Sequence, residues 1–134
     1  MMIRLPLVMI LALAGGPAQQ EGLKDVAQAA RGSLERGDLN SLLAGADRVQ
    51  LYLPQAEPSG PVSAAQAVAA LESVLVFGRG RVLVARYGEV GKGQGYVELR
   101  REVRTGRRGL SPQRVLLGFR LEGARWQLVE IRVS

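Results

Sequence analysis

Near residue 79 the spacing of apolar side chains changes from about 3.6 residues to two, and it stays at two almost to the end of the chain. A period of two puts alternate side chains on opposite faces of a strand, so this half must build a sheet with one dry face. Four strands fit, roughly Arg79–Val90, Tyr96–Arg104, Gln113–Leu121 and Arg125–Val133. The breaks between them are GKGQG (91–95), TGRRGLSP (105–112) and Glu122-Gly123-Ala124. Connectors this short favour an antiparallel meander. The apolar face reads Val82 and Val84; Val97, Leu99 and Val103; Val115, Leu117, Phe119 and Leu121; Val129, Ile131 and Val133. The other face is charged, with Glu98, Arg100, Glu102, Arg104, Arg120, Glu122, Glu130 and Arg132.

A half-apolar sheet needs a cover, and the first half of the chain supplies it. Glu21 to Arg36 carries Leu23, Val26, Ala27, Ala30 and Leu34 in one helical stripe. Gly37 suits a left-handed stop and Asp38 the N-cap of a short second helix with Leu39, Leu42, Leu43 and Ala46 inward. Asp47 to Leu53 alternates as a strand and ends at Pro54; Gln55 to Pro61 is a loop. Val62 to Val76 returns to helical spacing, with Pro61 near its start and Val68, Leu71 and Leu75 in one stripe. The expected fold class is α+β: three helices on one side of a curved, mainly antiparallel sheet of about five strands, in the order ααβαββββ.

The chain has 134 residues, enough for one small domain. It contains no Cys and no His, which excludes disulfides, thiolate zinc sites, Cys or Ser–His nucleophiles and imidazole acid–base chemistry. No residue pattern points to a metal or a cofactor. Residues 1–18 have the layout of a signal peptide: Arg4, an apolar run from Leu5 to Ala14, then small residues, with cleavage after Ala14 or Ala18. The run is too short to span a bilayer, which takes about 20 residues. The expectation is an exported protein, periplasmic or secreted, whose residues 19–134 form a single domain and which has no transmembrane segment after processing.

The stretch GSLERGDLNSLLAGADRVQLYLP (32–54) resembles the opening helix pair and first strand of the nuclear transport factor 2-like superfamily, and WQLVEIRV (126–133) resembles its closing strand. A signal peptide joined to this domain alone is similar to a family of small exported bacterial proteins of unknown function. The resemblance implies a cone-shaped α+β domain over nearly all of the mature chain. It also implies a choice of functions, because the superfamily holds enzymes such as ketosteroid isomerase and scytalone dehydratase beside many non-catalytic binding domains. The exposed sheet face of the superfamily often pairs two subunits, which makes a homodimer an expectation here.

Catalytic relatives use a carboxylate base or a His–Asp pair inside the cone. No His is present, and Glu98, Glu102, Glu122 and Glu130 all read onto the face opposite the apolar one. No catalytic residue is therefore assigned. Arg86 and Arg101 fall in phase with the apolar face, where two guanidiniums at a pocket edge would hold a carboxylate or phosphate, with Tyr87 and Tyr96 as hydroxyl donors. The plainer reading buries each arginine stem and sends its head to water or to a helix carboxylate such as Glu72.

Charge is uneven: residues 1–67 hold 5 cations and 6 anions, residues 68–134 hold 13 and 6. Arg100, Arg104, Arg107, Arg108 and Arg114 form a basic stretch suited to an anionic polymer or lipid, or simply a solvated edge that discourages strand pairing. Nucleic acid is a poor partner, because no aromatic side chains interleave with these arginines as stacking platforms. GKGQG lacks the strand–loop–helix setting of a phosphate loop and reads as a hairpin turn. The function expected from these readings is an exported, non-catalytic ligand-binding or protein-interaction domain, its partner a protein or a small anionic or apolar ligand. The alternatives are a His-free cone-pocket enzyme of isomerase or dehydratase type, and an electrostatic binder of envelope polymer or lipid.

Overall fold

A computed structural model describes residues 22–75, 81–104 and 110–134 of the chain. The elements in order are α1 (Leu23–Arg36), α2 (Leu39–Leu42), β1 (Arg48–Tyr52), β2 (Pro61–Ser63), α3 (Ala64–Glu72), β3 (Val82–Gly91), β4 (Gln94–Arg104), β5 (Leu110–Glu122) and β6 (Arg125–Val133). The proposed signal segment 1–18 and residues Val76, Phe77 and Arg79 lie outside the described residues, as do Arg107 and Arg108.

Local chemistry sets the helix ends. Gly37 adopts φ 71°, and the N–H groups of Gly37 and Asp38 return to the carbonyls of Leu34 and Ser33. The Asp38 carboxylate then accepts from the Ser41 N–H and starts α2, a single turn. The third helix is shorter than its apolar spacing suggests. Ser63 accepts from the Gln66 N–H, and the Gln66 side chain accepts from the Ser63 N–H, a reciprocal cap that starts the helix at Ala64. Pro61 to Ser63 is thereby free to pair with Arg48 to Gln50 as a sixth strand, so the order is ααββαββββ.

The sheet runs β2-β1-β6-β5-β4-β3. Every pairing is antiparallel except β1 with β6, which is parallel. Strand β5 begins at Leu110, upstream of the predicted start, although Pro112 has no N–H to give. At that end β5 is in register with β4 alone, since its pairing with β6 begins at Val115, so the missing donor costs no ladder bond on the open side.

Two bulges alter which side chains face the helices. In β3, Val84 pairs with Leu99 and Arg86 with Glu98, so Ala85 is the extra residue. In β6, Leu128 pairs with Phe119 and Glu130 with Gly118, leaving Val129 as the extra one. The second bulge corrects the expected apolar face: Trp126 and Leu128 join Ile131 and Val133 inside, while Val129 is only half-buried. Leu43, Leu71, Leu99, Leu117 and Ile131 fill the space between helices and sheet, each under 2% exposed.

Gly95 marks the closest approach of helix to sheet. A Cβ there would stand 2.8 Å from Leu23 Cδ1 and 3.2 Å from Trp126 Cζ3. Both side chains are buried, so neither has free space to retreat into. Gly95→Ala is expected to destabilise the fold by about 1–3 kcal/mol through overpacking, read as a lowered urea midpoint.

Candidate functional site

Three places were open to chemistry in a fold of this kind: the interior between helices and sheet, the groove at the helix pair, and the outer face of the sheet. In the interior, the buried polar side chains among the described residues are Ser33 and Arg101. Asp47, Glu72 and Glu89 are exposed, and Glu98, Glu122 and Glu130 occupy the outer face as their alternation requires. No group of three or more acidic side chains among the described residues is arranged to hold a metal ion.

Arg101 is in phase with Leu99 and is 3% exposed. Its Nη2 donates to the Leu34 carbonyl at 3.0 Å, inside the last turn of α1. A helix leaves its final carbonyls without helical partners and concentrates partial negative charge there, so a guanidinium is well matched to that end. Burial lowers the Arg101 pKa and the nearby Glu35 carboxylate raises it, so the helix acid it faces is Glu35 and not the exposed Glu72. Glu35 in turn accepts from the Val82 N–H at 3.0 Å and from Arg31 Nη1 at 3.0 Å.

Arg86 lies elsewhere. The Ala85 bulge shifts β3 by one residue, and a one-residue shift exchanges faces. Arg86 therefore stands on the outer face, with Nε 2.7 Å from Glu98 Oε1 and its guanidinium 6.0 Å from the Tyr96 ring centroid. Arg101 pairs with Val82. Tyr87 pairs with the inward Val97 but is 43% exposed, whereas Tyr96 packs beside Gly88 on the outer face. The four residues Arg86, Arg101, Tyr87 and Tyr96 thus divide between two faces and do not converge.

The helix-pair groove has a volume of about 440 Å³. Phe119, Trp126 and Leu128 lie beneath it, α1 and α2 form one wall, and Glu122 and Arg125 stand at its end. The outer face holds a second recess of about 390 Å³ along one cross-strand row: Tyr52, Arg132, Leu116, Glu98 and Arg86. Arg132 stacks on Tyr52 at 3.9 Å from the ring centroid and is paired with Glu130. Arg114 lines the same recess and stands directly opposite Arg100 in the β4–β5 register. Of the predicted basic stretch, Arg100 and Arg114 come together. Arg104 lies at the far end of β4, opposite Leu110. The parts of this recess contributed by β1 and β6 were not legible beforehand, because the parallel β1–β6 contact joins residues far apart in sequence.

No protein-family model matches the chain, and no curated protein does. Solved structures do. A DUF4783 family protein from Bacteroides ovatus superposes with a TM-score of 0.58 at 18% identity, covering 78% of this chain and 90% of that one. An NTF2-like protein of unknown function from Pseudomonas putida gives 0.63 at 15% identity, covering 89% and 87%. A ketosteroid isomerase-like protein from Erwinia carotovora atroseptica gives 0.62 at 18% identity, covering 83% and 91%. The protein has the nuclear transport factor 2-like fold, as its sequence patterns imply.

Two substitutions test the assignment of Arg101 and Glu35 to structure. Arg101→Ala removes a charged hydrogen bond and a buried stem, and is expected to cost about 2–4 kcal/mol in urea unfolding. The Val82 N–H, and then Arg31, hold the Glu35 pKa below its ordinary 4.5. That stabilisation is present above pH 4.5 and is lost as the pH falls through the lowered value. Glu35→Gln should therefore lower the thermal midpoint at neutral pH and match the parent near pH ~2.

Proposed function

We propose that this protein is an exported, non-catalytic binding domain that works through its outer surface and not through a pocket in the cone. The observation that carries this reading is the occupied interior. Apolar side chains fill the centre between helices and sheet, leaving the groove over Phe119, Trp126 and Leu128, and the buried guanidinium of Arg101 is engaged by the end of α1. A general acid or base must reach the substrate, and the carboxylates of Glu98, Glu122 and Glu130 lie on the outer face, while Glu89, in register with the inward Gly95, is exposed near the end of β3. Export rests on the layout of residues 1–18. Among the described residues no helix is long and apolar enough to cross a membrane.

The chain has one tryptophan, Trp126, under the helix-pair groove and against the core. It separates the two kinds of binding. Protein recovered from a bacterial periplasm is expected to begin at Gly15 or Gln19 by intact mass. Titrated with apolar steroid-like probes, it should show no change in Trp126 emission. Backbone amide shifts caused by charged probes should fall on the outer-face positions of β4 to β6. Saturable quenching of Trp126, with shifts around Leu99, Leu117 and Ile131, would instead establish an interior site and overturn the proposal.

A further inference from the structure

The charges on the outer face do not balance. In the row through Leu116, Arg86 is paired with Glu98, and in the neighbouring position Arg132 is paired with Glu130. Arg100 and Arg114 face each other across β4 and β5, and among the described residues neither has an acidic partner. Like charges directly opposite on adjacent strands destabilise a sheet. Both are exposed; Arg114 lines the recess, Arg100 stands across the strand pair from it, and Arg132 faces Leu116 from β6. The recess itself is not wholly polar: Leu116 lies in its centre, with Leu53 and the Tyr52 ring at its β1 side.

We infer that this recess is a binding site for a phosphomonoester carrying an apolar or aromatic body. The inference rests on the reading of the outer face as the working surface and names what that face takes. Two guanidinium forks match the two charges and three oxygens of a phosphomonoester, whereas one carboxylate would neutralise only one of them. The body of the ligand lies over Leu116 toward Leu53, beside the Tyr52 ring that Arg132 covers. Arg86 and Arg132 are held in place by their own carboxylates, so the site is positioned before the ligand arrives. The repulsion between Arg100 and Arg114 is relieved when the anion binds, which couples occupancy to stability.

The probe is 1-naphthyl phosphate, titrated into the mature protein at a constant ionic strength of about 150 mM, with 1-naphthol as the uncharged control. The expected result is saturable movement of the Tyr52, Arg114 and Leu116 amides, with a dissociation constant of about 1 mM or tighter, and none with naphthol. Arg100→Gln and Arg114→Gln should each weaken binding about tenfold while leaving the thermal midpoint at or above that of the parent, because each removes the repulsion. A lysine at either position should restore only part of the affinity, since an ammonium lacks the fork. Vesicles of phosphatidylcholine with phosphatidic acid form a second arm. Binding to them that the same two variants abolish places the phosphomonoester on a lipid; binding to the soluble probe alone places it on a small molecule.

Unchanged affinity in both variants, or no binding at concentrations of about 10 mM, overturns the inference. Outer-face shifts caused by other charged probes but not by the phosphate would leave the surface reading standing and remove only the phosphate. Quenching of Trp126 would remove the surface reading itself. Sedimentation completes the set: a tight dimer that loses the naphthyl phosphate site on association assigns the face to a second copy and overturns the inference.

Discussion

The attachment of the end of α1 to the sheet governs the geometry of the whole domain. Arg101 reaches from β4 to the Leu34 carbonyl, and one residue later Glu35 takes the Val82 N–H at the start of β3. A buried guanidinium is costly to desolvate, and it is tolerated here because the helix end offers both a carbonyl and negative potential. Together the two contacts fix where α1 crosses the β3–β4 hairpin. At the other end of the helix, Leu23 lies against the bare backbone of Gly95. The helix is thereby held at both ends on the strands it covers, and the apolar stripe between has a single register in which to pack.

That constraint has a chemical consequence. Once α1 is seated so closely, Leu43, Leu71, Leu99, Leu117 and Ile131 meet in the middle of the domain. Arg101, the charged side chain buried on the apolar face among the described residues, is used at the end of a helix. Most of the charge on the sheet lies on the outer face, where Arg86 meets Glu98 and Arg132 meets Glu130. The ionisable groups thus lie mainly where they can be hydrated.

The two bulges show how little separates one surface from the other. One extra residue at Ala85 carries Arg86 out of the interior and sets it against Glu98. One extra residue at Val129 brings Trp126 and Leu128 inward and leaves Val129 behind. Each bulge changes the phase of only part of a strand, so a strand that alternates cleanly in sequence can still present two faces to one side.

Much of this protein can be read from its residues alone. The helical stripe of α1, the Gly37 stop, the Asp38 cap, the alternating strands and the hairpin at 91–95 are local, and local spacing and turn chemistry specify them. The outward placement of Glu98, Glu122 and Glu130 follows from the same alternation. The third helix starts later than its apolar spacing implies because Pro61 to Ser63 pairs with β1, a partner outside the stretch, and the Ser63–Gln66 cap begins the helix at Ala64. Only the tertiary structure decided that Arg86 and Arg101 lie on opposite faces, and that Arg101 serves the end of a helix 67 residues away. The same holds for the recess between Tyr52, Leu116 and Arg114. The Ala85 bulge leaves no mark in the hydrophobic period, and the β1–β6 pairing joins distant segments. Those contacts arise from packing, which settles after the local pattern has been laid down.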